Sequence, residues 1–136
     1  MISLILILLF GVTEAAKDIL SFRYRQSIFY NYKKEFWHPQ LSWINKYKES
    51  KLACNKSPWY YFGLYTPRYT EKFPFSTTFL VFITDGWHLI KALSLLFLFG
   101  SIVFYSPIIN IWGDIWIYFV AYSISFNLFE NNLFQK

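Results

Sequence analysis

A single cysteine, Cys54, leaves the chain with no intrachain disulfide and no zinc site built on paired thiolates. Glycine and proline, at five each, are too few for a collagen-like or low-complexity array. Charged residues make up only 15% of the 136 positions and aromatic ones 24%, the reverse of a disordered chain. The sequence has no glycine-rich phosphate loop, no HExxH and no internal repeat, so nucleotide-binding, zincin and solenoid readings lack a foothold. What is abundant is apolar: 55% of residues are hydrophobic and the mean hydropathy is +0.28. One domain's length of such a chain points to lipid as the solvent and to an all-α membrane protein.

The apolar runs predict three transmembrane helices. Between Lys91 and Asp114 lie 22 uncharged residues, interrupted by Ser106-Pro107. Proline starts helices better than it continues them, so the run divides into a helix over 77–105, a tight turn and a helix over 108–129. The run 2–12 is too short to span a ~30 Å bilayer core, which needs about 20 helical residues. The first span is therefore expected over 2–22, with Glu14, Lys17 and Asp18 inside it or near its end. In a competing reading residues 1–15 are a cleaved signal peptide, but the segment has no Lys or Arg before its apolar core.

Charge divides the chain. Residues 23–75 hold ten basic and three acidic side chains, a net of +7, while the rest sums to −2. Tyr and Trp interleaved with Lys would suit stacking on single-stranded nucleic acid. Flanking apolar runs make lipid headgroups the better partner and nucleic acid no partner. The positive-inside rule puts this loop in the cytoplasm, giving N-terminus out, C-terminus in and an uncharged outer turn, with a short tail over 130–136. Phe36-Trp37, Trp43, Trp59-Tyr60-Tyr61-Phe62, Tyr65 and Tyr69 favour headgroup depth, where Arg23, Arg25, Lys46 and Lys48 are the lipid-binding candidates. The loop is expected to lie on the interface as a folded cap, with an amphipathic helix near 27–36.

Ionisable groups inside a bilayer are functional candidates or are paired. At ~1.5 Å per residue, Glu14 lies ~19 Å and Asp18 ~25 Å from the outer end of the first helix. Counted from Tyr105, Lys91 is ~21 Å deep, His88 ~25 Å and Asp85 ~30 Å. Glu14 is thus expected to meet Lys91, and Asp18 to meet His88. Such pairs can fix helix register without chemistry. Alternatively they form a polar site open to the cytoplasm, with Asp85, His88, Lys91, Glu14 and Asp18 as catalytic candidates. The carboxylates beside His88 could bind a metal or pass a proton, and Lys91 with Arg23 and Arg25 could instead clasp a lipid phosphate. No ligand motif supports a metal or any other cofactor. Asp114, ~9 Å from the outer surface, stands apart, in a small polar stripe with Asn110, Gly113, Ala121 and Ser125 that suits helix packing.

Weaker signals have plain readings. His38-Pro39 reads as loop packing, and Ser76-Thr77-Thr78 as the N-terminal cap of the second helix. Asn55-Lys56-Ser57 matches a glycosylation acceptor but falls in the cytoplasmic loop and precedes Pro58. Cys54 has no His-Asp arrangement near it in sequence to activate it.

Phe36-Trp37-His38-Pro39 through Ser42-Trp43-Ile44-Asn45-Lys46-Tyr47-Lys48 resembles an uncharacterised family of small bacterial integral membrane proteins. So does Ser76-Thr77-Thr78 leading to Thr84-Asp85-Gly86-Trp87-His88-Leu89-Ile90-Lys91, with 52–72 as a variable insert. The resemblance implies a location in the bacterial cytoplasmic membrane and a similar layout, without a mechanism. It draws attention to Asn45, Lys46, Lys48, Asp85, Trp87, His88 and Lys91.

Four functions compete. The first is a structural or accessory subunit of a larger membrane assembly, with other membrane subunits or further copies as partners. The second is a membrane-embedded enzyme or lipid-headgroup-binding protein using Asp85, His88 and Lys91. An oligomeric small transporter or proton path through Glu14, Asp18 and His88 is the third. A pore-forming lysis protein is the fourth, which the long basic loop and nearly uncharged tail fit poorly.

Overall fold

The computed structural model describes residues 1–47 and 72–134. Lys48, Cys54, Asn55 and all but the last residue of the 52–72 insert lie outside them. The described residues are mostly helical, with no strand among them, so the fold class is all-α. Helix α1 runs Ile2–Phe22, as expected from the sequence. It ends where Arg23 leaves helical geometry at φ −128°, its N–H still bonded to the Ile19 carbonyl at 2.9 Å.

The rest of the helical layout departs from expectation in specific ways. The interfacial stretch is not one amphipathic helix. It consists of 3₁₀ turns at Tyr24–Gln26 and Ile28–Asn31, a short helix α2 at Lys34–Trp37, and a further 3₁₀ turn at Ser42–Lys46. The second long helix, α3, spans Gly86–Val103 rather than starting at residue 77. Asp85 out-competes Ser76 as its cap: extended at φ −151°, it accepts from the His88 N–H at 2.9 Å. Ser76 is buried and donates instead to the Lys46 carbonyl, at 2.7 Å. Phe75, at φ 65°, turns the chain through the left-handed region just before it. Helix α4 spans Ile111–Leu128, capped by Asn110, and a π turn at Phe129–Leu133 follows.

Helix α1 is central, packing along both α3 and α4, which scarcely touch each other. The side chains it buries are small or polar: Ser3, Gly11, Thr13, Ala15 and Ala16, before Ile19 and Leu20 near its end. Its neighbours do the same, burying Ser94 and Ser101 on α3 and Asp114 and Ser125 on α4. Large apolar side chains point outward: Leu96, Phe99 and Ile102 on α3, and Trp112, Trp116, Phe119 and Ile124 on α4. Close backbone approach depends on the small residues. A Cβ on Gly11 would sit 2.9 Å from the Tyr122 carbonyl oxygen and 1.9 Å from Ser125 Oγ.

By length and composition, one helix among the described residues, α3, could cross a membrane; its mean hydropathy is 1.6. At ~1.5 Å per residue, 18 residues measure ~27 Å, close to a hydrocarbon core of ~30 Å. Helix α1 has the length but carries Glu14, Lys17 and Asp18. Helix α4 dilutes its aliphatic residues with Asp114, Asn127 and the polar-edged rings of Trp112, Trp116, Tyr118 and Tyr122.

A second layer closes the end of the bundle where α1 stops and α3 starts, termed here the loop end. Tyr24 and Phe29 join Ala16, Ile19 and Leu20 in a buried cluster, against which Trp37, Trp87, Ile90 and Phe134 pack. The Phe29 and Trp37 rings stack at 4.8 Å. Trp37 lies flat against Gly86, where a Cβ would come within 2.3 Å of its ring. The tail is not a free end, because the Ile28 N–H bonds to the Phe134 carbonyl at 3.0 Å and Arg23 pairs with Glu130 at 3.4 Å.

Candidate functional site at the loop end

Asp85 and His88 occupy the first turn of α3, and their contacts follow from the capping geometry. One Asp85 oxygen accepts from the His88 N–H, while the other meets His88 Nδ1 at 2.7 Å and the Thr84 hydroxyl at 3.3 Å. Asp85 is buried and His88 half-buried, so the imidazole is held by one edge with the other directed away from the carboxylate. A carboxylate that fixes an imidazole this way can orient a general base. It is equally what a helix cap with a histidine at its third position produces. Lys91 does not join them: it is exposed, with its ammonium over the Trp87 ring at 5.1 Å.

Neither expected interhelical ion pair forms. Glu14 is held by Lys17 of its own helix at 2.5–2.6 Å and by the Ser94 hydroxyl from α3. His88 turns to Asp85 rather than to Asp18. The cause is register. The Trp87 indole N–H donates to Ser21 at 3.1 Å, and the Ser94 hydroxyl to Glu14; each pair of contacts is seven residues apart on its own helix. This alignment differs by about three residues, less than one turn, from the one that brings Lys91 to Glu14. It leaves Lys91 outside, and the Asp18 carboxylate has no ion-pair or hydrogen-bond partner among the described residues. No three His, Cys, Asp or Glu side chains among the described residues converge as a metal site would require.

The other end of the bundle has a carboxylate of a different kind. Asp114 accepts from the Ile108 and Ile109 N–H groups at 3.0 Å each and from the Tyr105 hydroxyl at 2.8 Å. These bonds draw residues 104–110 into a turn and keep Ile108 out of α4. Asn110 caps the helix through the Gly113 N–H at 2.9 Å, so within the sequence-predicted stripe it is Asp114 and Ser125 that face inward.

Of the lipid-binding candidates, Arg23 and Arg25 line one cleft of about 360 Å³ at the end of α1, together with His38 and Gln40. Lys46 lies elsewhere in the cap, with its ammonium 5.7 Å from the Tyr47 ring, and Lys48 falls outside the described residues. Between the arginines, Tyr24 is buried, its ring edge-on to His38 at 4.8 Å. Its hydroxyl is buried without a hydrogen-bond partner among the described residues. Burial, and secondarily the neighbouring Tyr30, raise the Tyr24 phenol above its ordinary value of 10.0. His38 does pack as a loop residue should, yet it also lines this cleft. Its sequence signal was the aromatic company on either side of His38-Pro39, which showed burial and not which cleft it would border.

Set against protein-family models, curated proteins and solved structures, the chain matches none of them.

Proposed function

We propose that the protein is a three-span integral protein of the bacterial cytoplasmic membrane, N-terminus out and C-terminus in, serving as a structural or accessory subunit of a larger membrane assembly. The observation that carries this reading is the inverted side-chain distribution along most of the long helices. Ser, Thr, Gly, Ala and one aspartate lie inside, joined by Ile19 and Leu20 only near the end of α1, with most Leu, Ile, Phe and Trp side chains outside. In water that arrangement would expose apolar faces at a cost of about 25 cal/mol per Å². In lipid it is the usual solution, since small residues let backbones approach and apolar side chains meet acyl chains. The basic cap after α1 supports the orientation, and the resemblance of 36–48 and 76–91 to small bacterial membrane proteins points to the same compartment.

The subunit role is supported by how little the three helices cover one another. Where α3 and α4 splay, Ile7, Leu98, Ile102, Ile111 and Ile115 line an open apolar cleft of about 400 Å³. A second, of about 500 Å³, opens between α1 and α4 at Leu4, Leu8, Trp116 and Val120. A photoreactive amino acid at Ile102 or Trp116 should crosslink in native membranes to one discrete protein, either another subunit or a second copy. Adducts to lipid alone at both positions would remove the subunit role.

The Asp85–His88 contact favours a second reading, a membrane-embedded enzyme or lipid-headgroup-binding protein with Asp85 and His88 at the cytoplasmic boundary and Lys91 standing apart over Trp87. It expects His88→Ala to abolish a cellular phenotype at unchanged expression, whereas His88→Ala cells indistinguishable from wild type would leave Asp85 as a helix cap.

A further inference from the structure

The cleft at the end of α1 is rich in hydrogen-bond donors, with Phe22, Tyr24 and Pro39 as its apolar lining. Its lining includes Ser21, Arg23, Arg25, Gln26, His38 and Gln40, and no acidic side chain among the described residues. Arg25 has no carboxylate partner among the described residues. Arg23 has only Glu130, at 3.4 Å, and remains 43% exposed on its side chain. The Gln40 N–H donates to His38 Nδ1 at 3.1 Å, which places the imidazole proton on Nε2 as a further donor. Tyr24, buried between the arginines in the 3₁₀ turn Tyr24–Gln26, lines the same cleft as both of them.

Two planar guanidinium groups with neutral N–H donors beside them are the chemistry that recognises a phosphate oxyanion. We propose that this cleft binds a phosphate group, carried either by a phospholipid headgroup or by free inorganic phosphate. Phe22, 81% exposed, forms an apolar lip on the same cleft and favours the lipid, because it offers the first acyl methylenes a surface that free phosphate cannot use. The choice of carrier rests on the membrane reading above; the phosphate chemistry does not.

The test uses the full-length protein in neutral detergent, with retained phosphatidylglycerol measured by native mass spectrometry. Wild type should retain the lipid, and Arg23→Gln/Arg25→Gln should weaken it by roughly a hundredfold or more, the effect of losing two charge-assisted contacts. The charge-matched control Lys33→Gln/Lys34→Gln should bind as wild type does. Arg25→Gln alone, at a side chain with no ion pair to lose, guards against a fold defect in the double variant. Displacement of the lipid by excess inorganic phosphate, with the same arginine dependence, would keep the site and identify free phosphate as a ligand. Equal losses in the arginine and lysine variants, or no loss in either, would overturn the proposal. Arginine-dependent binding of inorganic phosphate would stand even if the chain proved extractable from membranes without detergent, so the cleft and the membrane reading fail separately.

Discussion

Gly11→Ala should drive α1 and α4 apart, and Gly100→Ala should not. At Gly11 the new methyl would lie 2.9 Å from the Tyr122 carbonyl oxygen, 3.3 Å from the Phe126 nitrogen and 1.9 Å from Ser125 Oγ. The serine hydroxyl can rotate away, but the carbonyl belongs to the α4 backbone. Restoring an ordinary contact of about 3.4 Å requires the helices to part by about half an ångström along their tightest line. At Gly100 the nearest atom is a methyl of Leu6, at 3.3 Å, which can move on its own rotamer. Both substitutions gain the same helix propensity, up to about 1 kcal/mol, so that contribution cancels between them. The difference left is overpacking, about 1–3 kcal/mol. Reversible unfolding in mixed micelles of dodecyl sulfate and dodecyl maltoside, followed by tryptophan fluorescence, would measure it. Adding Ser125→Gly to Gly11→Ala should recover part of the loss, because the Oγ clash goes and the carbonyl contact stays. If Gly11→Ala is tolerated as well as Gly100→Ala, the close α1–α4 crossing is wrong.

Three further outcomes follow from single residues. Tyr24→Phe should be neutral or stabilising, because it removes a buried hydroxyl that has no partner among the described residues. The raised Tyr24 pKa means that the folded state holds its proton longer than the unfolded state. Its contribution is therefore fully present below pH 10.0 and lost as pH rises through the folded value. A wild-type stability curve falling no faster above pH 10 than that of Tyr24→Phe would contradict this. Asp85→Ala should cost about 1 kcal/mol through the lost cap, with Asp85→Asn costing less because the amide oxygen still accepts from the His88 N–H; equal stability of all three proteins in the same micelles would count against the cap. Asp114→Ala should release the turn, so that Ile108 and Ile109 amides exchange faster while those of mid-α4 stay protected; unchanged exchange at both would refute the anchoring role.

The extent of α1 was legible, because the apolar run 2–12 marks its start and an assumed length of about 20 residues places its end at residue 22. The start of α3 was misread. Ser76-Thr77-Thr78 has the composition of a cap, but Thr84-Asp85-Gly86 is the stronger signal, joining an aspartate cap to a glycine that admits the Trp37 ring. The expected ionic pairs require helix ends that lie flush. The Ser21–Trp87 and Glu14–Ser94 contacts instead leave the first turn of α1 overhanging the end of α3. Asp114 looked like a packing residue, since its bonds go to backbone groups of a turn whose shape one-dimensional spacing does not encode. In the cleft, Arg23 and Arg25 could be read from their place at the end of the first apolar helix; His38 and Gln40 reach it through the fold of the cap alone.

The central claim, that the three long helices cross a bilayer with the basic loop inside, is tested most directly by cysteine labelling in intact cells. In a Cys54→Ser background, single cysteines at Ile2, Lys33, Ile109 and Asn132 would each meet a membrane-impermeant maleimide; all four positions are exposed on the fold. The account predicts labelling of Ile2→Cys and Ile109→Cys from outside, with Lys33→Cys and Asn132→Cys reacting only after the membrane is permeabilised. Labelling of all four from one side, or recovery of the protein in the soluble fraction without detergent, would contradict it.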